Sequence, residues 1–99
     1  NNPINNNGNY IPKQILLHQN YPNPFNPITS ITFELPVDSD VLLSIYNLTG
    51  KKVRTLIHEI KEAGKHKIQL NGNNLSSGIY FYALDTPSNK LVKKLVLIK

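Results

Sequence analysis

Three histidines and six carboxylates are the side chains of this sequence that could bind a metal ion or transfer a proton. The histidines stand at His18, His58 and His66, and no pair of them has the HExxH spacing that places two imidazoles on one face of a helix. The sequence contains no cysteine, so no thiolate is available as a ligand. A metal site would require histidines from three unrelated segments to meet, and isolated histidines are more often packing or surface residues. We therefore predict no metal site.

Two short polar stretches resemble fragments of known sites. Asp38-Ser39-Asp40 has the acidic spacing of a calcium loop but lacks the glycine and the distal glutamate of an EF-hand, and both residue types are ordinary turn formers. Ser76-Ser77-Gly78 lacks the G-x-S-x-G elbow of serine hydrolases. The sequence offers no set of nucleophile, base and orienting group. We predict no catalytic residue, no cofactor and no enzyme activity.

Positive charge makes nucleic acid a candidate partner. The formal net charge is +5, but ten of the eleven basic residues are lysines scattered along the chain. Arg54 is the one basic residue able to make a bidentate contact with a base. Lysines on strand faces and edges commonly keep a β-domain soluble. We predict no nucleic-acid partner.

Membrane association receives no support from the hydropathy pattern. No apolar run approaches the roughly 20 residues that a membrane-spanning helix needs, and we predict no transmembrane segment. The first residues, Asn1 to Ile4, lack the basic and then apolar order of an export signal, and the chain does not begin with Met. We expect a piece of a longer protein, in which any export signal would lie upstream.

The sequence predicts that strands, rather than helices, position any functional residues. Apolar and polar residues alternate with period two, and turn residues recur at short intervals. The predicted strands lie at about residues 15–18, 29–35, 41–45, 51–60, 66–70, 79–85 and 90–99. About seven strands in a chain of this length predict an all-β fold, an immunoglobulin-like antiparallel β-sandwich.

The fourth predicted strand is the least regular. Its apolar residues at 53, 56, 57, 60 and 63 would also share one face of a helix, so a helix is the open alternative. Frequent β-branched residues and hairpin-like flanks favour a strand. The adjacent apolar residues Leu56 and Ile57 predict a bulge or twist within it.

The composition divides the chain into a linker and one domain. Residues 1–13 contain six Asn, two Pro and one Gly, with little to bury. This composition is typical of a flexible linker. We predict a linker over 1–13 and a single domain over 14–99.

The stretch NYPNPFNP, residues 20–27, precedes the first long strand and combines three prolines with two aromatic rings. Each proline removes an amide donor and holds φ near −65°, which makes the stretch stiff. We predict that it forms a structural clamp in which both rings are buried against the sandwich. The clamp residues are Tyr21, Pro22, Pro24, Phe25 and Pro27.

Four ordered blocks of the sequence resemble a known family, and they cover the chain from about Leu17 to its last residue. The blocks are NYPNPFNP with the alternating strand after it, the segment 41–56, the segment 64–82 and the closing KKLVLIK. Together they resemble the type A C-terminal sorting domain of the type IX, or Por, secretion system. The later blocks also resemble the immunoglobulin-like domain of flagellar hook-capping proteins, but the proline block favours the sorting domain. Leu70 departs from the pattern, since the family often has an aromatic residue there.

The resemblance implies a folded C-terminal sorting signal that carries no catalytic group. Such a domain directs a covalently linked upstream cargo protein across the periplasm of a Gram-negative bacterium and through the outer-membrane translocon. A sortase-like peptidase commonly removes it, here within the linker, and attaches the cargo to the cell surface. We therefore expect the parent protein to be secreted or held at the cell surface.

Five residues are the predicted contacts with the translocon. Lys93, Lys94 and Lys99 offer positive charge to a receptor. By the resemblance, Gly78 and Tyr80 fall in a motif that the family associates with the signal.

The alternative is an accessory carbohydrate-binding or structural immunoglobulin-like module of a larger secreted enzyme. Sugar-binding sheets usually present exposed coplanar aromatic rings, and most of the eight rings stand at positions that predict burial. Three solvent-facing rings on one sheet would favour this alternative.

Overall fold

The computed structural model describes residues 11–99, which form seven strands and no helix. The strands are β1 (Leu16–Leu17), β2 (Ile28–Leu35), β3 (Ser39–Tyr46), β4 (Lys52–Lys61), β5 (Gly64–Asn71), β6 (Gly78–Asp85) and β7 (Lys90–Leu97). In this part of the chain, accordingly, there is no helix with the length and apolar character needed to cross a membrane.

The strands form two antiparallel sheets that pack as a sandwich. One sheet has the order β1-β2-β5 and the other the order β4-β3-β6-β7. Neighbours in each sheet are antiparallel. The prediction of an all-β, immunoglobulin-like sandwich of about seven strands is therefore confirmed.

The irregular fourth segment is a strand, and the predicted bulge lies within it. Leu43 of β3 pairs with Ile57, whereas the next residue, Ser44, pairs with Thr55. Leu56 is thus the extra residue of β4. Both Leu56 and Ile57 pack against the core, which strict alternation would not allow.

The core lies between the two sheets and is built mainly from alternate residues of β2, β3, β6 and β7. Fifteen apolar side chains form one buried cluster. Burial of one such side chain stabilises the fold by about 1.5–3 kcal/mol relative to its exposure. Leu70, which departs from the family pattern, is fully buried in this cluster.

The six longer strands, β2 to β7, run between two ends of the sandwich. We call the end at which the described chain enters β1 the proximal pole. Leu16 of β1 pairs with Glu34, close to the end of β2. The β2–β3, β4–β5 and β6–β7 connections lie at this pole. Two of these connections are joined there, because Ala63 N donates to Asp38 Oδ1 at 2.8 Å.

The opposite end is the distal pole. It carries the turn at 47–51, the loop at 72–77 and the last residues, Ile98 and Lys99. Arg54 joins the two sheets there, since its Nη1 donates to Asn71 O, at the end of β5, at 2.6 Å. The chain therefore enters the sandwich at one pole and reaches Lys99 at the other.

The predicted linker, residues 1–13, lies mostly outside the described residues. Within the described part, Pro12 is buried and Lys13 is exposed. The boundary at Gln14 stays a prediction.

Candidate recognition surface

The proline-rich stretch joins the two sheets along one side of the sandwich. Tyr21 and Ser30 of β2 exchange two backbone hydrogen bonds of 3.0 Å each. Further along, Phe25 N donates to Val96 O of β7, and Ile98 N donates to Phe25 O, each at 3.0 Å. The stretch thus attaches to the edge strand of one sheet after leaving the other, which is what a clamp requires.

The prediction of two buried rings is right for Phe25 and wrong for Tyr21. The Phe25 side chain is 2% exposed and belongs to the core, whereas Tyr21 is 83% exposed. The reason is the alternation of side chains in an extended segment. Asn20 is buried, so its neighbour Tyr21 points to solvent, and Tyr21 contributes to the clamp through its backbone.

The clamp prolines contribute carbonyl groups to the neighbouring elements. Pro22 O accepts from Thr29 Oγ1 at 2.8 Å, and Pro27 O accepts from Gly72 N at 2.7 Å. Pro22 and Pro24 are exposed, Pro27 is half-buried, and the peptide bond before each of the three is cis. Because proline has no N–H, the exposed side of the stretch offers fewer donors to a foreign strand.

Two side chains of the N-terminal stretch complete the pairing along β7. Gln19 Nε2 donates to Lys94 O at 2.7 Å, and Val96 N donates to Asn23 Oδ1 at 3.0 Å. Together with the Phe25 backbone, these side chains form hydrogen bonds with backbone groups on the free edge of β7, from Lys94 onward. An incoming strand can pair with this stretch of β7 only if the clamp is displaced.

A buried network around Tyr82 fixes the start of the clamp. Tyr82 is fully buried, and its hydroxyl donates to His18 O at 2.6 Å and accepts from Asn20 N at 2.8 Å. The Asn20 Nδ2 donates to Thr29 Oγ1 at 3.0 Å. The sequence does not reveal this network directly, because Tyr82 stands in a run of apolar and aromatic residues, Ile79 to Tyr82, that is typical of a buried strand. The available signal was that a buried tyrosine hydroxyl usually has a hydrogen-bond partner.

Burial raises the pKa of Tyr82 to about 12, although the hydrogen bond from Asn20 N acts in the opposite direction. The folded state therefore holds this proton more tightly than the unfolded chain, in which the value is 10.0. The resulting stabilisation is complete below pH 10 and is lost as the pH rises through 12. We expect the free energy of unfolding to fall in this interval, and we expect Tyr82→Phe to make the fall shallower.

Urea unfolding of the wild type and Y82F, at several pH values from neutral to about 12, measures this effect. Tyr21→Phe is the matched control, because it also removes one phenol but from a side chain that is 83% exposed. Equal slopes for Y82F and Y21F would contradict the assignment.

Three of the predicted recognition residues lie together at the distal pole. Gly78 is exposed at the start of β6, and Lys99 is held beside the 72–77 loop by a bond from its Nζ to Asn73 O at 2.6 Å. Tyr80 is 8% exposed, and its hydroxyl donates to Ser76 O at 2.6 Å. Tyr80 thus shapes this surface through the loop that it holds.

The other two predicted residues lie apart from this group. Lys93 and Lys94 stand midway along β7, opposite Tyr82 and Phe81 of β6. Both lysines are exposed, and as consecutive strand residues they point to opposite faces of the sheet. They offer charge on the side of the sandwich rather than at its pole.

The backbone conformation at residue 78 favours glycine over any other residue. Its φ is +150°, and a Cβ built on it would meet no heavy atom within 4 Å. Strain alone therefore decides the outcome, and we expect Gly78→Ala to lower the free energy of unfolding by about 1–3 kcal/mol. Urea denaturation checks this value against Asn74→Ala, an exposed position in the preceding loop. A G78A protein as stable as N74A would contradict it.

The histidines are separated in the fold. The His18 Nε2 is hydrogen-bonded to a carboxylate oxygen of Glu34, whereas His66 stacks on Phe33 with ring centroids 5.2 Å apart. His58 is exposed on β4. Among residues 11–99, no group of three His, Asp or Glu side chains is placed to hold a metal ion.

The aromatic rings do not form an exposed platform. Tyr46 and Phe81 are half-buried neighbours on the outer face of the four-stranded sheet, and Tyr21 is exposed on the clamp. The other rings of residues 11–99 are buried. Over this range, neither sheet presents three solvent-facing rings.

Comparisons with known proteins point to secretion. The family model described as "Secretion system C-terminal sorting domain" matches residues 19–99. No curated protein matches the chain. Among solved structures, PorZ of Porphyromonas gingivalis, described as an essential bacterial surface component of the type-IX secretion system, is similar with a TM-score of 0.53 and 22% identity. The match covers 86% of this chain and 11% of the PorZ chain, and at this identity it shows a shared fold.

Proposed function

Since the chain belongs to the family of secretion-system C-terminal sorting domains, we propose that it directs an upstream cargo protein through the type IX outer-membrane translocon. The match to 19–99 also extends over the clamp and the last strand. Membership implies export to the cell surface or beyond. The signal acts without catalysis, and any enzymatic activity belongs to the cargo.

The placement of the two poles is the observation that best supports this proposal. Cargo is linked upstream of β1, and the described chain reaches β1 at the proximal pole. Gly78 and Lys99 lie at the distal pole. A cargo domain therefore leaves the distal surface free for a receptor, as a sorting signal requires.

Processing would take place before the sandwich begins. β1 is hydrogen-bonded to β2 from Leu16, and Tyr21 is fixed by two backbone bonds to Ser30. Peptidases require extended and accessible backbone, so we place cleavage by a sortase-like peptidase in residues 1–13. Cleavage there separates the cargo from the domain after passage from the periplasm and leaves the sandwich intact.

Neutralising the β7 lysines tests the predicted contacts with the translocon. We expect Lys93→Gln with Lys94→Gln to lower the exported fraction of a cargo fusion about tenfold, equivalent to the loss of ~1.4 kcal/mol of receptor binding. Both side chains are exposed, so the fold should persist.

The matched control is Lys65→Gln with Lys67→Gln, which removes the same charge from exposed positions on β5, in the other sheet. Immunoblots of the periplasm, cell surface and medium measure export, and circular dichroism of the purified domains checks folding. Equal export of the two double variants would exclude Lys93 and Lys94 as contacts.

A further inference from the structure

The ionisable side chains are distributed unevenly between the two poles. All six acidic residues lie in the proximal half, in the proximal connections or in strand segments next to them. They are Glu34, Asp38, Asp40, Glu59, Glu62 and Asp85. The distal half of the described chain therefore contains no acidic side chain.

Four basic residues lie at the distal pole: Lys51, Lys52, Arg54 and Lys99. The three lysines are exposed, and Arg54 is half-buried and held by Asn71 O. No carboxylate side chain of residues 11–99 lies near them along the strands. The other seven basic side chains lie in the rest of the domain, where all six carboxylates offset most of their charge. The positive potential of the domain is thus concentrated where its surface faces away from the cargo.

Apolar side chains are exposed among these cations. Leu48, at the tip of the 47–51 turn, is 65% exposed, Ile98 is 52% exposed and Ile79 is 38% exposed. Next to Gly78 lies an open cleft of about 250 Å³ between the 47–51 turn and the start of β6, with Leu48, Ile79 and Tyr80 among its lining residues. A cleft of this kind can receive one side chain of a partner.

The turn that presents Leu48 is held in place before any partner binds. Asn47 Oδ1 accepts from Thr49 N and Lys51 N, each at 3.0 Å, and Asn47 N donates to Lys51 O at 2.9 Å. Gly50 has a φ of 86°, which suits glycine at this position. Little ordering is therefore needed on binding.

We infer that the distal pole is a docking surface for an acidic protein segment, which places an apolar side chain in the cleft beside Gly78 and carboxylates against Lys51, Lys52 and Lys99. The inference rests on the proposed function, because it assigns the chemistry of the partner that reads the sorting signal. A concave cleft fits a protruding side chain better than a membrane surface. Charge complementarity selects an acidic partner.

Binding of a synthetic peptide tests the inference without any secretion machinery. The probe is Glu-Glu-Leu-Glu-Glu, and its control is Gln-Gln-Leu-Gln-Gln, which keeps the apolar residue without the charge. In NMR titrations of residues 1–99 at low salt, we expect the acidic peptide to shift the amide signals of Leu48, Gly78 and Ile79. Added salt should weaken this binding. Shifts spread evenly over all lysine-bearing strands would overturn the inference.

Charge reversal at the distal pole is a second test of the inference. We expect Lys51→Glu with Lys52→Glu to weaken peptide binding about tenfold, and Lys65→Glu with Lys67→Glu, of equal net charge, to leave it unchanged. Equal affinity for the two double variants would overturn the inference. So would binding of phosphatidylglycerol vesicles, but not the peptide, at this surface.

The same variants in a cargo fusion separate this inference from the proposed function. Loss of export in K51E/K52E, with wild-type export intact, supports the docking surface. Unchanged export of K51E/K52E would overturn the inference and leave the sorting function standing. A wild-type fusion that is not exported would count against the sorting function instead, while the peptide titration would still decide the inference.

Discussion

Phe25→Ala lowers the free energy of unfolding by about 3–5 kcal/mol, because it removes a ring from a site that is 2% exposed. The ring packs closely against the distal loop, since a Cβ built on Gly72 would lie 3.1 Å from Phe25 Cε2. A domain of this size has a total stability of about 5–15 kcal/mol. The substitution therefore removes a large part of it and releases the clamp from β7.

Tyr21→Ala is the matched control for this prediction, because it removes the clamp's other ring from a side chain that is 83% exposed. We expect its cost to stay within about 0.5 kcal/mol. Urea unfolding measures both values. Hydrogen exchange gives the local effect: in F25A the amides of Val96 and Ile98, which donate to the clamp, exchange faster. Similar stabilities of F25A and Y21A would show that the clamp is not anchored by Phe25.

Leu97→Ala is the second large expected effect, and it concerns the last strand. Leu97 is 1% exposed, bridges to Phe25 and approaches Gly72, so the substitution leaves a cavity at the contact between clamp and core. We expect a loss of about 2–5 kcal/mol in the free energy of unfolding. The final strand is thus part of the core, and removing it would unfold the signal as well as shorten it.

Ile98→Ala is the control, since the neighbouring side chain is 52% exposed and its backbone bond to Phe25 is retained. Its expected cost is below about 1 kcal/mol. Thermal and urea unfolding compare the two. If I98A proved as costly as L97A, the alternation of burial along the end of the chain would be wrong.

Period-two alternation predicted the strands well because burial on one face of a sheet leaves a direct pattern in the sequence. The bulge was predictable from Leu56 and Ile57 for the same reason. The orientation of Tyr21 was not, since prolines define a stiff segment without defining which alternate side chains face the core. Burial of the neighbouring Asn20, through its bonds to Tyr82 and Thr29, settles that orientation.

The proposed recognition surface could not be predicted from composition, because its charge distribution depends on how the strands are arranged. The sequence shows a net charge of +5, but the charge asymmetry emerges only when antiparallel strands bring residues such as Asp40 and Asp85 to one end. Lys51 and Lys99 are distant in sequence and lie at the same pole. Predicting this arrangement requires the strand order in each sheet, which local patterns do not contain.

Export of a fusion protein tests the central claim most directly. Residues 1–99 are attached to a periplasm-directed fluorescent protein, which is produced in a bacterium with a working type IX system and in an otherwise identical strain that lacks the translocon. We predict fluorescence at the surface or in the medium of the first strain and in the periplasm of the second. A folded fusion that stays in the periplasm of both strains would contradict the assignment as a sorting signal.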